Sequence, residues 1–195
     1  MKTASFLRAA AIVAAIAAAP AWAAIEVAGI KFDDTAQLGG QPLVLNGAGL
    51  RTKVIIKVYA AGLYLPRKDA TATGVLSQPG PKSVHAVMLR DLSGEDFAEA
   101  MIKGFKANNS AADVAKFQSK LDELRALMLQ VGTAKKGSKL ELNFLPGTGT
   151  RVLFNGEQKG RDIPGEDFYQ AILRIWLGSD PVDESLKEGL LGKAK

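Results

Sequence analysis

The feature that most constrains the fold is a largely apolar run, residues 54–65, that begins three positions after Arg51. The run is rich in Val, Ile and Tyr, which favour β-strands, and its internal Gly62 suggests a bulge or a close backbone approach. The pattern predicts one strand over residues 52–65. Arg51 lies at the mouth of this strand and stays ionised at any ordinary pH, so it needs an anion, a carbonyl or water as its partner.

Strand patterns also occur in other parts of the chain. They cover residues 26–32, 43–45, 83–89, 139–144, 151–154 and 157–161. The last three are joined by Pro146-Gly-Thr-Gly149 and by Asn155-Gly156, and both segments are typical of hairpin turns.

Helical patterns fill the middle and the end of the chain. Ser93 with Asp96 three residues later resembles a helix N-terminal cap, after which four apolar residues share one face: Phe97, Met101, Ile102 and Phe105. A second stripe predicts one helix of about five turns: Val114, Phe117, Leu121, Leu124, Met128 and Val131. Residues 166–177 and 181–191 predict two more helices. Strands, then helices, then strands again indicate an α+β fold, a sheet with helices layered on one face.

The first 23 residues have the pattern of a signal peptide. Lys2 and Arg8 precede an apolar run over residues 9–19, and Ala21-Trp22-Ala23 then provides a small-x-small cleavage pattern. The apolar run is shorter than the roughly 20 residues that a membrane-spanning helix needs. We expect removal of residues 1–23, one domain over residues 24–195, and a periplasmic or secreted protein without a stable membrane anchor. A retained anchor is the alternative.

Composition excludes several classes of function. The chain has no Cys, so it forms neither disulfides nor thiolate metal sites. Removal of Lys2 and Arg8 lowers the formal charge from +5 to +3, and this small surplus does not favour nucleic acid as a partner. The sequence does not indicate the oligomeric state.

The candidates for chemistry are few. His85 is the only histidine, so we predict no metal site and interpret His85 as a structural residue of its strand. No Gly-x-Ser-x-Gly motif or phosphate-binding loop occurs. Arg51 and Tyr59 remain, eight residues apart. On one extended strand they would lie roughly 26 Å apart. Only a turn near residues 51–53 would bring them together; otherwise Arg51 ends a hairpin and Tyr59 packs.

Five segments together resemble the chalcone isomerase superfamily, especially its exported bacterial branch. They are Gly47-Ala-Gly-Leu-Arg51, Lys57-Val-Tyr-Ala-Ala-Gly-Leu-Tyr-Leu65, Leu92-Ser-Gly-Glu-Asp-Phe-Ala-Glu99, Ala171-Ile-Leu-Arg-Ile-Trp-Leu-Gly178 and Pro181-Val-Asp-Glu-Ser-Leu186. The resemblance implies an open-faced β-sandwich, in which helices cover a curved antiparallel sheet and a ligand cleft lies between them. It also implies that no cofactor is needed.

In plant enzymes of this superfamily, an arginine stabilises the negative charge that develops as a phenolate adds to an enone within one molecule. The resemblance places that arginine at Arg51 and a threonine position at Tyr59. The family's tyrosine falls on Phe97, and its asparagine falls near Gly104, so two donors are missing. Loss of one preorganised donor costs on the order of 10²–10³ in rate, which argues against efficient chalcone cyclisation.

The fatty-acid-binding branch of the superfamily matches better, since an arginine and a tyrosine hold the carboxylate there. The leading hypothesis is a non-catalytic binder of an apolar carboxylate such as a fatty acid, with Arg51, Tyr59, Phe97 and Met101 as ligand-binding residues. One alternative is a cofactor-free isomerase with Arg51 as its catalytic residue. The other is an envelope structural or interaction protein, in which Arg51 pairs with an internal acid such as Asp33 or Glu141.

Overall fold

The computed structural model describes residues 24–193, and a curled antiparallel sheet is its central element. The strands are β1 (Ile25–Val27), β2 (Ile30–Phe32), β3 (Thr35–Leu38), β4 (Gln41–Lys53), β5 (Ile56–Leu65), β6 (Lys82–Met88), β7 (Leu92–Ser93), β8 (Thr133–Ala134), β9 (Lys139–Leu145), β10 (Gly149–Phe154) and β11 (Glu157–Ile163). Seven of them pair in the order β11-β10-β9-β6-β5-β4-β3. The predicted signal peptide, residues 1–23, lies outside the described residues.

Helices cover one face of this sheet, as predicted. They are α1 (Ala72–Ser77), α2 (Gly94–Asn108), α3 (Ala111–Lys116), α4 (Gln118–Gln130), α5 (Glu166–Leu177) and α6 (Glu184–Leu190). The main core lies between the helices and the sheet, and a smaller cluster around Phe32 and Tyr64 lies on the opposite face, beside the β1–β2 hairpin. Within residues 24–193, no helix is long and apolar enough to span a bilayer.

The prediction of a single strand over residues 52–65 is wrong. Lys53 pairs with Ile56, so the chain reverses at Val54 and Ile55 and forms two antiparallel strands, β4 and β5. The predicted short strand at residues 43–45 is part of β4, which continues for 13 residues. The turn was missed because neither of its central residues is Gly, Asn or Asp, the types that normally mark a two-residue hairpin.

Two glycines of β4 allow α6 to lie directly on the sheet. A Cβ atom at Gly47 would lie 2.2 Å from the carbonyl oxygen of Gly189, and one at Gly49 would lie 3.1 Å from Leu186. The Gly47-Ala-Gly49 segment is therefore a packing surface for a helix. Gly62 of β5 is also a site of close approach, as expected, since a Cβ atom there would lie 2.7 Å from the Phe32 ring.

The helix predictions are confirmed in part, since α1 was not predicted, the last helix begins at Glu184 and not at residue 181, and one predicted helix is divided. The Ser93 hydroxyl accepts a hydrogen bond from the Asp96 N–H and caps α2, and α5 spans residues 166–177 as predicted. The stripe predicted as a single helix is divided at Phe117 into α3 and α4. The Phe117 ring packs against Phe105 and Phe168, with ring centres 6.3 and 5.5 Å away. The apolar spacing continues across the break, so the sequence pattern does not reveal it.

Candidate ligand-binding site

The β4–β5 hairpin places Arg51 directly opposite Tyr59. The two residues are paired in the strand register, and the guanidinium carbon of Arg51 lies 5.5 Å from the centre of the Tyr59 ring. A cation at this distance from an aromatic face is attracted by the electron-rich ring. Two residues that would be far apart on one extended strand therefore form one group, because the turn at Val54 and Ile55 brings them together.

Arg51 is half-buried and lacks an acidic partner. Its Nε atom is buried without a hydrogen-bond acceptor, and Arg51 takes part in no ion pair, within residues 24–193. The nearby Asp183 carboxylate accepts hydrogen bonds from the backbone N–H groups of Thr52, at 2.8 Å, and Leu186, at 3.0 Å. Asp183 therefore joins the start of α6 to the end of β4 and leaves the guanidinium available for an added anion.

Tyr59 is buried and is held in position by α5. Its hydroxyl oxygen accepts a hydrogen bond of 2.9 Å from the indole N–H of Trp176. Burial raises the pKa of Tyr59 above its ordinary value, although the Arg51 charge and the Trp176 bond act in the opposite direction. Tyr59 is therefore a neutral phenol whose hydroxyl keeps its own proton available for donation.

An open cleft of about 600 Å³ lies beside Arg51. Its aliphatic lining comes from the β4–β5 hairpin, α2 and the segment before α6: Ile56, Val58, Leu92, Ala100, Ala107, Pro181 and Val182. Its charged lining is balanced, with Arg51, Lys53, Arg90 and Lys103 against Asp91, Asp96, Glu99 and Asp180. Arg51 is half-buried, whereas the other three bases are exposed. The cleft thus combines aliphatic walls with one fixed, partly desolvated positive charge.

Phe97 and Met101 lie in the core next to this cleft, and neither is part of its lining. Phe97 packs on Tyr59 with ring centres 6.5 Å apart. Phe97 borders an apolar void of about 10 Å³ between the sheet and the helices, and Met101 borders a second void of about 10 Å³ among α2, α4 and α5. Each void has about the volume of one water molecule. The space beside Arg51 that a ligand can enter is therefore the open cleft, and the interior behind it is packed.

Gly104 of α2 lines the cleft at a point of tight helix packing. A Cβ atom there would lie 2.9 Å from Cγ2 of Ile175 and 3.1 Å from Cγ1 of Val182. At this position, near which the resemblance places the asparagine of the plant enzymes, a side chain would collide with α5 and its following loop. With Phe97 at the tyrosine position, the cleft lacks both of those donors.

His85 lies on the opposite face of the sheet from this cleft. It packs against the Tyr64 ring and lies 3.5 Å from Glu141. Burial, with the nearby Lys139 charge, lowers the pKa of His85 to about 4, while Glu141 acts in the opposite direction. The imidazole is therefore neutral at pH 7. Within residues 24–193, no group of three or more His, Cys, Asp or Glu side chains is arranged to hold a metal.

Two residues of the site were not identified from the sequence. The sequence patterns include Trp176 and Asp183 only as members of predicted helices and of family motifs. The spacing of apolar residues in α5 places Trp176 in the core, but its bond to Tyr59 depends on how α5 crosses the sheet. Asp183 directly precedes α6, and Asp is a typical N-cap residue, so the sequence could have indicated its role at the start of this helix.

Comparison with known proteins agrees with this architecture. A model of the family described as chalcone isomerase-like matches residues 24–192. The chain belongs to the chalcone isomerase-like family. No curated protein sequence matches it.

A solved structure of the same family fold is the fatty-acid binding protein of Arabidopsis thaliana. The similarity covers 84% of this chain and 92% of the plant protein, with a TM-score of 0.63 and 19% sequence identity. At this identity the likeness establishes the fold, and it confirms the chalcone isomerase-like architecture that the sequence motifs predicted.

Proposed function

We propose that this chalcone isomerase-like protein is a non-catalytic binder of an apolar carboxylate, such as a fatty acid, in the cleft beside Arg51. The observation that carries the proposal is the Arg51 guanidinium, which is half-buried at an open cleft and has no acidic partner within residues 24–193. Partial burial of a cation whose Nε lacks an acceptor is unfavourable, and a ligand carboxylate relieves that cost. The fatty-acid binding protein with the same fold supports this choice of ligand.

The energetics divide between the two ends of such a ligand. Full burial of ten methylenes would contribute about 8 kcal/mol, and a charged hydrogen bond adds about 1.5–3 kcal/mol. Association costs at least about 4 kcal/mol. Full burial would therefore give about 5.5–7 kcal/mol, a Kd of roughly 10–100 µM, and the open cleft, which buries the chain only in part, sets this as the upper limit of the affinity. Arg51 sets the orientation, with the carboxylate at the guanidinium and the chain along Ile56, Val58 and Val182.

Tyr59 has a supporting part in this proposal. Its hydroxyl accepts the Trp176 bond and keeps one proton. Because Tyr59 is buried and does not line the cleft, it can donate this proton to a carboxylate only if the carboxylate enters past the cleft wall beside Arg51. Phe97 and Met101 form the apolar layer behind Tyr59 and contact a long acyl chain only if their side chains rotate into the small voids beside them. Truncation of Met101 would then change the preference between short and long chains without changing the preference for an acid.

The test is calorimetric titration of dodecanoate and of dodecanol into the wild type and the Arg51→Ala variant. We expect dodecanoate to bind the wild type about 10–100-fold more tightly than it binds the variant, and dodecanol to bind both alike. Arg67→Ala is a matched control, since Arg67 is exposed and lies outside the cleft. Equal dodecanoate affinity for wild type and Arg51→Ala would contradict the proposal.

Periplasmic or secreted location is part of the proposal and depends on the signal-peptide pattern of residues 1–23. Fractionation of bacterial cells that produce the full chain tests it. We expect the protein in the periplasmic or extracellular fraction, shortened by about 23 residues in its mass spectrum. Recovery of the full-length chain from the cytoplasm would contradict this part of the proposal.

A further inference from the structure

The tip of the β4–β5 hairpin exposes aliphatic side chains to solvent. Val54 is 91% exposed, Ile55 is 87% exposed and Ile56 is 46% exposed. Among residues 24–193, the only other exposed large hydrophobic residue is Leu129 at 36%. Isolated exposed aliphatics are common, but three consecutive ones at a protruding tip form a concentrated apolar surface.

The turn itself does not account for these residues. Val54 adopts a φ of 60°, and Ile55 is not in the positive-φ region. This pattern corresponds to a type II′ turn, in which Gly is the usual first central residue. A β-branched side chain at positive φ is an outlier. Val and Ile therefore stand where Gly followed by a small polar residue would form the same turn more easily.

Positive charges flank the exposed aliphatics. Arg51, Lys53 and Lys57 lie within the seven residues of the hairpin end, which contain no Asp or Glu. None of these three cations takes part in an ion pair within the part of the chain that the structure describes. An apolar tip between unpaired cations complements a bilayer surface, in which acyl chains lie beneath anionic phosphates.

The tip is continuous with the cleft. Lys53 and Ile56 belong to both. Arg51, which lines the cleft, lies only two residues before Lys53, the last residue of β4. A surface bound to the tip therefore lies next to the mouth of the cleft.

We propose that residues 53–57 form a docking tip for anionic phospholipid bilayers, with Val54 and Ile55 inserted below the headgroups and Lys53 and Lys57 at the phosphates. The contact is peripheral and reversible, because two aliphatic side chains and two cations provide far less affinity than a spanning helix. The docking tip goes beyond the proposed ligand-binding function: Lys53 and Ile56 also line the cleft, whereas the inserted residues Val54 and Ile55 do not.

The experiment is sedimentation of the protein with vesicles of equal phosphatidylglycerol and phosphatidylcholine, and with vesicles of phosphatidylcholine alone. We expect the protein to bind the anionic vesicles, and this binding should weaken in 0.5 M salt. Binding to the neutral vesicles should be weaker than binding to the anionic ones. The Val54→Gly/Ile55→Ser variant keeps a favourable type II′ turn and should bind anionic vesicles at least about tenfold more weakly. The Lys53→Gln/Lys57→Gln variant should lose about tenfold on anionic vesicles and little on neutral ones.

Leu129→Ser is the matched control, because it removes an exposed aliphatic side chain on α4, away from the hairpin. It should bind vesicles like the wild type. Three results would overturn the proposal: no vesicle binding by the wild type, equal binding by wild type and Val54→Gly/Ile55→Ser, or an equal loss in Leu129→Ser. A wild-type dimer that the hairpin variant makes monomeric, without vesicle binding, would assign the tip to a second copy of the chain instead.

Dodecanoate titration in vesicle-free buffer separates this proposal from the ligand-binding function. Val54→Gly/Ile55→Ser should bind dodecanoate like the wild type, whereas Arg51→Ala should lose dodecanoate and retain most of its vesicle binding. The titration therefore tests the ligand-binding function, and the sedimentation assay tests the docking tip, so one proposal can fail while the other holds.

Discussion

Arg51 and Tyr59 face each other across the β4–β5 hairpin, and the Tyr59 hydroxyl is in turn held by Trp176 of α5. The cation, the phenol and the indole thus form one connected group that extends from the cleft into the core. Arg51 is the exposed end of this group and Trp176 is its buried end. Changes at the buried end should alter stability, and changes at the cleft end should alter ligand affinity.

The Tyr59–Trp176 hydrogen bond should make a measurable contribution to stability. Tyr59→Phe leaves the indole N–H of Trp176 buried without an acceptor, so we expect the free energy of unfolding to fall by about 1–3 kcal/mol. Urea denaturation of Tyr59→Phe, Trp176→Phe and the double variant measures it. A coupling energy of about 1 kcal/mol is expected in this double-mutant cycle. Fully additive effects would show that the bond contributes nothing.

The positive φ of Val54 should make glycine favourable at that position. We expect Val54→Gly to raise the free energy of unfolding by up to about 1 kcal/mol, because glycine removes the Cβ conflict of a left-handed residue. Ile55→Gly is the matched control and should lower stability. Ile55 is not in the positive-φ region, so glycine there relieves no strain and only increases the conformational entropy of the unfolded chain. Thermal or urea unfolding compares the two. The same loss in both variants would mean that Val54 is not strained.

Gly104 should resist replacement by alanine, although alanine is the better helix former. The new Cβ atom would meet Ile175 and Val182 at 2.9 and 3.1 Å, so overpacking of about 1–3 kcal/mol should exceed the helix-propensity gain of about 1 kcal/mol. The variant Ile175→Ala removes the nearest of these atoms. Denaturation should therefore show a smaller loss from Gly104→Ala in the Ile175→Ala background than in the wild type. An unchanged loss would assign the effect to another contact.

His85 should make stability depend on pH in a mildly acidic window. Its pKa is about 4 in the folded protein, below its ordinary value of 6.5, so the unfolded chain binds this proton first as pH falls. The stabilising contribution is complete above about pH 6.5 and is lost progressively towards pH 4. We expect a loss on the order of 2 kcal/mol over that range.

The His85→Gln variant isolates this effect from the carboxylates that titrate nearby. Lys139, Glu141 and Asp33 face the imidazole and are unchanged in the variant. Urea denaturation at pH 7.0 and pH 4.5 should show a smaller drop in the variant than in the wild type. Identical drops would show that the imidazole gains its proton equally in both states.

Local patterns in the chain determined most of its secondary structure. The Ser93 cap, the Asn155-Gly156 turn and the apolar spacing of residues 166–177 involve neighbours within a few positions, so they could be interpreted without the fold. The family motifs likewise identified the chalcone isomerase-like fold and singled out Arg51 and Tyr59. The cap, turn and helix inferences use residue types whose preferences are strong and local, whereas the fold was implied by the family resemblance.

The tertiary structure alone decided how those residues form a site. The turn at Val54 and Ile55 carries no turn-forming residue, so the pairing of Arg51 with Tyr59 was not readable from the chain. The same holds for the bond from Trp176 and for the open cleft in place of an interior hollow. The Tyr59–Trp176 bond joins residues 117 positions apart, and the cleft depends on how closely side chains pack; neither property is encoded in any short stretch of sequence.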